Sequence, residues 1–316
     1  MCRIAILVIG LASLLPVGAI AQRRAQPITP AASSTDALVF GDRTWFYYLA
    51  PNSTTPRKLA KGNFPALSRD GKLVAYVTPL DATKAEPESV SIRVIDIASG
   101  KNSGIFEAKA WASHLTWSPK GDWLALTLAY LNGKRELEVI SADGSSKRKI
   151  IGGGEQDAND IFGPVWAPDG NSIFFQDMEN LFQVGLNGRV IAKTPLGVMV
   201  GEKESITSSD TFVPSPFDQN LLAYTRSVPG TKLFEREFGE PNTALFIYNL
   251  QTKTRKRVTA LDLLALDPVW SRGGRYIYFS GYHDREGKAA YPFKIYRINP
   301  DGTGLVQIAA GENPGV

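Results

Sequence analysis

The chain has 316 residues, with 35 Lys and Arg against 31 Asp and Glu, one cysteine and two histidines. One cysteine excludes an internal disulfide framework, and so few Cys and His residues leave no zinc-site spacing. A formal net charge of +4, with both signs interspersed, gives no basis for nucleic-acid binding.

Residues 1–21 read as an export signal. Arg3 supplies a short positive start, Ile4 to Leu15 an apolar core, and Ala19-Ile20-Ala21 a small-x-small cleavage site before Gln22. The apolar stretch is short and wrongly flanked for a membrane span. The only cysteine, Cys2, lies inside this signal, so the mature chain is expected to be cysteine-free and periplasmic or secreted. Residues 22–36 are poor in large apolar groups and read as a disordered arm. Residues 37–316 form the remaining domain.

From Ala37 onward the elements are strands. Ala37–Phe40, Thr44–Leu49 and Arg57–Ala60 come first. A phrase then recurs five times: a hydrophobic couple, Ser or Ala, a turn, and a run of strand formers. It starts at Ala66, Thr116, Val165, Val213 (a worn copy) and Val269. Its anchors are Ser68, Ser118, Ala167, Ser215 and Ser271, at steps of 50, 49, 48 and 56 residues. A fixed period of this size signals a repeat architecture.

Each repeat resolves into four strands, A to D. In the second repeat they fall near His114–Ser118, Asp122–Ala129, Arg135–Ser141 and Lys147–Ile151. Ser99-Gly100, Asp143-Gly144, Asn187-Gly188 and Asp301-Gly302 occupy the same C–D turn and supply the positive φ of a tight hairpin. Four antiparallel strands per repeat describe a propeller blade, which buries its two faces against its neighbours. The three N-terminal strands match B, C and D of a blade lacking A. Glu312-Asn313-Pro314-Gly315-Val316 aligns with Leu266-Asp267-Pro268-Val269-Trp270 and reads as the missing A. The expected fold is therefore all-β, a six-bladed β-propeller closed by N- and C-terminal strands sharing one blade. Five blades with a loose N-terminal sheet is the alternative.

The phrase x-Trp-Ser-Pro-Asp-Gly-x-x-Ile-x-Phe resembles the TolB-type, WD40-like propeller repeat. Its best copies run from Val165 to Phe175 and from Val269 to Phe279, the latter completed by Lys294 to Gly302. The resemblance covers residues 37–316 and implies the fold, with an envelope location as its functional association. Only the short arm stands where that family carries an α/β domain.

Trp117, Trp166 and Trp270 occupy equivalent positions and read as inter-blade packing. The repeated Ser is a turn residue, and no Gly-x-Ser-x-Gly elbow exists. Gly152-Gly153-Gly154-Glu155 lacks the Lys-Ser/Thr of a phosphate loop. The basic run Lys253–Arg257 reads as a solvated strand edge. No catalytic set, metal site or cofactor is expected. His114 falls in a strand A near the channel mouth, and His283 in a long B–C loop.

The loops are more informative. A–B and C–D turns are short and share one face. B–C and D–A connections share the other, where the long ones occur, and long loops clustered on a rigid scaffold mark a binding face. The candidate partner-binding residues there are Phe162, Phe234, Arg236, Phe238, Tyr282, His283, Arg285 and Tyr291, types that anchor interfaces. Carboxylates gather in the D–A connections, and Glu155, Asp157, Asp160, Glu204, Asp210 and Asp267 are the candidate acidic rim of the channel. The expected function is a monomeric, non-catalytic scaffold that binds an envelope protein or peptide. The alternative is a propeller enzyme or lectin acting on glycans at that acidic mouth.

Overall fold

The computed structural model describes residues 34–81, 89–201, 206–228, 243–286 and 292–316. Among them, six four-stranded antiparallel sheets follow one another around a ring. Blade 1 joins the two ends of the chain. It runs β24 (Glu312–Gly315), β1 (Leu38–Gly41), β2 (Trp45–Leu49) and β3 (Arg57–Lys61), with Val39 opposite Gly315 and Gly41 opposite Glu312. The shared blade completes a fourth, innermost strand for blade 1 and leaves only a short, protected inner edge.

The other blades are each contiguous in sequence. Blade 2 holds β4 (Asn63–Leu67), β5 (Leu73–Pro79), β6 (Val90–Asp96) and β7 (Asn102–Ala108). Blade 3 holds β8 (Ala110–Trp117), β9 (Trp123–Tyr130), β10 (Arg135–Ser141) and β11 (Lys147–Gly152). Blade 4 holds β12 (Phe162–Trp166), β13 (Ser172–Gln176), β14 (Asn180–Gly185) and β15 (Val190–Pro195). Blade 5 holds β16 (Val213–Pro214), β17 (Leu221–Ser227), β18 (Thr243–Asn249) and β19 (Thr254–Arg257). Blade 6 holds β20 (Leu263–Trp270), β21 (Ile277–His283), β22 (Lys294–Ile298) and β23 (Val306–Ala310). The worn repeat yields the shortest inner strand, two residues long.

The alternation of strand side chains explains why one blade needs two neighbours. Along β9, Leu124, Leu126 and Leu128 face blade 2, while Ala125 faces blade 4. Each such fully buried leucine contributes about 1.5–3 kcal/mol relative to exposure. Six apolar clusters result, one at each blade–blade seam.

The turns obey the repeat. Ser68 Oγ accepts the Leu73 N–H at 2.9 Å and Ser271 Oγ the Tyr276 N–H at 2.9 Å, closing the A–B turn from within. These serines are 1% exposed, so they are architecture. At the C–D turn, Gly188 has φ +81°, and a Cβ there would stand 2.6 Å from the Ile150 carbonyl of the preceding blade. Glycine is therefore required by backbone and by packing together. The basic run becomes β19, the outermost strand of its sheet, with exposed residues at Thr254, Arg255 and Lys256.

Two short helical turns interrupt the strands, a five-residue α1 (Leu196–Val200) after β15 and a 3₁₀ turn at Asp284–Glu286. Residues 34–36 are part of the propeller, where the sequence suggested arm. Ser34 is fully buried, and its hydroxyl lies 2.6 Å from that of Tyr278. Residues 1–21, where a signal is expected, and residues 22–33 lie outside the described residues.

Candidate functional site

The six A strands stand innermost and enclose a cavity of about 450 Å³, lined by residues of every blade. Halfway along, the inner strands bulge. Pairing shifts between Asn63 and Ala66, Ser113 and Thr116, Phe162 and Val165, and Leu266 and Val269. Five equivalent residues there take left-handed backbone: Phe64 (φ 53°), His114 (55°), Gly163 (56°), Asp267 (51°) and Asn313 (55°). Non-glycine residues in this region are uncommon, and such bulges re-aim side chains. Phe64, His114, Asp267 and Asn313 line the cavity, as does Thr211, the sixth equivalent residue. They form a collar on the wall of the channel.

Gly163 lines nothing, and that is its role. A Cβ on it would meet Thr211 Cγ2 at 3.0 Å and the Asp210 carbonyl at 3.1 Å. Across this bare position the His114 imidazole reaches the backbone carbonyl of Ser209, which partly offsets the lowering of its pKa by burial. His114 Nδ1 also lies 3.0 Å from Ser113 Oγ, and its ring centroid is 5.9 Å from that of Phe64.

Among the described residues, Asp267 is the only carboxylate side chain lining the cavity. Water reaches it from the channel and protein surrounds it elsewhere. Ser280, fully buried, donates its hydroxyl to Asp267 Oδ2 at 2.9 Å, and the Asn313 N–H donates to Ser280 Oγ at 2.8 Å. Burial pushes the Asp267 carboxyl up to about 6; the Ser280 hydrogen bond opposes this and the charge of Asp210 adds to it. Glu312 is likewise pushed up to about 6, by burial first, with Arg43 opposing at 3.5 Å and Asp267 adding.

The A–B end of the same cavity is lined by Arg69 and Arg272. Arg272 reaches from blade 6 to blade 2, donating to the Ser68 carbonyl at 3.2 Å. It crosses blade 1, which has no A–B turn because its two inner strands come from opposite ends of the chain.

The residues singled out from sequence fall in several places. Phe162 opens β12 with Arg135 above its ring at 4.9 Å, and Arg135 pairs with Asp160 at 2.6 Å. His283 lies 3.2 Å from Asp262, and Arg285 is exposed in the 3₁₀ turn. Tyr282, expected at the surface, is 1% exposed and packs edge-on against Phe293 at 5.2 Å. It sits inside the β21 ladder with its side chain turned to an apolar pocket, so it supports the face from beneath. Phe234, Arg236, Phe238, Tyr291 and Glu204 lie outside the described residues.

The expected acidic rim is dispersed. Glu155 pairs with Lys149 at 2.7 Å, and Asp157 is exposed. Asp210 is 6% exposed and accepts from Thr225 Oγ1 and the Thr207 N–H, both at 2.6 Å. These carboxylates serve their own loops, which is where short-range hydrogen bonding directs them. Sequence reasoning found His114 and Asp267 but missed Phe64, Thr211, Asn313, Arg69 and Arg272. A signal existed: Phe64, Gly163, Asp267 and Asn313 each precede a proline, which bars right-handed helical backbone.

No family model matches the chain, and no curated protein matches it by sequence. Solved structures do match in fold. TolB from Acinetobacter baumannii superimposes with a TM-score of 0.63 at 16% identity, over 88% of this chain and 65% of that one. A protein assigned as TolB from Agrobacterium tumefaciens gives 0.58 at 14% identity, over 91% and 93%. The fold is a TolB-like six-bladed propeller. An oligogalacturonate lyase from Vibrio parahaemolyticus also matches, with a TM-score of 0.50 at 14% identity, over 88% of this chain and 76% of that one. The TolB-like propeller thus spans about two thirds of the Acinetobacter protein, and at these identities the likeness concerns fold alone. Among the described residues, no helix is long and apolar enough to cross a membrane.

Proposed function

We propose that this protein is an exported, non-catalytic propeller that binds an extended segment of a cell-envelope protein. The binding surface is the face bearing the B–C and D–A connections, together with the channel that opens there. The observation that carries this reading is the channel itself: a cavity of about 450 Å³, walled by rigid inner strands and ringed by five residues in left-handed backbone. A volume of that size suits a side chain or short peptide segment.

Photo-crosslinking in the native envelope tests the reading. A crosslinker at Arg285, on the long-loop face, is expected to capture a protein that one at Lys120, in an A–B turn, does not. Capture from Lys120 alone, or from neither, would sink it. A mature N-terminus other than Gln22 would remove the assigned export signal. Turnover of oligogalacturonides by the purified protein would instead favour a catalytic channel built on Asp267 and His114, which line it together.

A further inference from the structure

Resting on the binding role just proposed, we infer that the collar is a site for an organic cation: the lysine or arginine side chain of the bound segment, with Asp267 as its charge partner and Phe64 as its aromatic wall. Among the described residues Asp267 is the only carboxylate side chain of the cavity lining, and no Lys, Arg or His forms an ion pair with it. Ser280 donates to one oxygen, and the backbone N–H of Asn313 also favours the charged form. These are hydrogen bonds, not a counter-charge. A charge in an enclosed site without a counter-charge costs folding free energy, and Asp210 and Glu312 raise that cost. Hydrogen bonds from Ser280 and the Asn313 backbone offset part of it, and a bound cation would offset the rest.

The rest of the wall suits the same guest. Phe64 is 37% exposed, and its aromatic face attracts a cation within about 6 Å. Pro65, Leu115, Trp117 and Val269 line the same cavity and offer an apolar bed for the methylene stem of a long basic side chain. His114, in the opposite blade, is kept neutral by burial and so does not repel it. Arg69 and Arg272 close the far end with positive charge. A cation entering there would be repelled, so it enters from the long-loop side. The described residues bring together no three His, Cys, Asp or Glu side chains able to hold a metal ion, which favours a singly charged group with an apolar body.

The test uses the intact mature protein and four probes: the N-acetyl, N-methylamide derivatives of lysine, arginine, norleucine and glutamate. Calorimetric or NMR titration near pH 7.5 should show the two basic amides binding at least about tenfold tighter than norleucine, with glutamate weakest. Asp267→Asn should remove about tenfold of that preference while leaving the unfolding transition cooperative. Affinity for the lysine amide should also fall towards about pH 5, as Asp267 takes up a proton; the titratable groups facing it are Asp210, Glu312 with its Arg43, and His114, whose pKa burial lowers.

Equal binding of norleucine and lysine amides would overturn the inference. So would undiminished lysine binding by Asp267→Asn, absence of binding by both basic amides, or a site that takes calcium through Asp267 and neither amide. The two proposals fail separately. If envelope crosslinking captures the same partner with Asp267→Asn as with the unaltered protein, the collar falls and the scaffold stands. If the amides bind as expected but no partner is captured, the scaffold falls and the collar stands.

Discussion

Ser34 and Tyr278, 244 positions apart in the chain, share a 2.6 Å hydrogen bond between buried hydroxyls. The Tyr278 hydroxyl also donates to Asp36 at 2.9 Å. This pair fastens the segment before β1 to blade 6, beside the seam where the ring closes. Tyr278→Phe removes the shared partner of both groups. It should destabilise the fold by about 1–3 kcal/mol, the cost of stranding buried polar groups. Urea unfolding would read this as a lower midpoint at unchanged slope. A midpoint equal to that of the unaltered protein would contradict it.

The three repeat tryptophans are equivalent in sequence and unequal in structure. Trp117 donates its Nε1–H to the Ala66 carbonyl and Trp270 to the Val213 carbonyl, each at 2.9 Å and each in the preceding blade. Trp166 Nε1 is buried and has no hydrogen-bond partner among the described residues. Replacement by Phe should therefore cost about 1 kcal/mol more at Trp117 and Trp270 than at Trp166, the difference being one inter-blade hydrogen bond. Thermal or chemical denaturation of the three variants side by side provides the comparison.

Asp267 and Glu312 both stand near 6, above the roughly 3.9 and 4.3 of unfolded chains. The folded state therefore holds these protons more tightly. Their stabilising contribution is complete below the unfolded values and is lost as pH rises from about 4 to about 6. Asp267→Asn removes the larger part. Without ligand, that variant should be more stable than the unaltered protein at neutral pH, by up to roughly 2 kcal/mol. The gain should vanish towards pH 4. Glu155 and Asp143, held below their usual range by hydrogen bonds, have the opposite dependence in both proteins and cancel in the difference. A variant less stable at neutral pH would show that the carboxylate is repaid within the fold.

Gly163→Ala tests the collar backbone. The new methyl group must adopt φ near +56° and approach Thr211 Cγ2 to 3.0 Å. Destabilisation of about 1–3 kcal/mol is expected from the strained conformation. His114 should lose its contact with the Ser209 carbonyl, visible as a shift in the titration of its imidazole by NMR. An unchanged titration would show that the bare position does not govern His114.

The legible part of this protein was its period. Turn chemistry at Ser68, Ser118 and Ser271, and glycine at the C–D turns, recur because every blade must solve the same hairpin. That repetition carried the strand count, the six blades and the shared closing blade, down to Glu312–Gly315 as the missing inner strand. It also sorted the loops onto two faces. Tyr282 was not legible, because one residue of register decides whether a strand-end side chain faces solvent or an apolar pocket. Nor were the partners of the acidic residues: Glu155 pairs with Lys149 on β11 and Asp210 with Thr207 and with Thr225 on β17, contacts that the repeat does not specify.

What sequence determined by itself, then, was the blade architecture, because local turn and strand preferences repeat at a fixed interval; the pairing of Glu312–Gly315 with Leu38–Gly41 decided six blades over five. The tertiary structure alone decided the site. Phe64, His114, Thr211, Asp267 and Asn313 are scattered over 250 positions, and none neighbours another in the chain. They share one channel wall because the ring brings six equivalent inner-strand positions to a common axis, and a repeat specifies where such positions lie without specifying which side chain each blade places there.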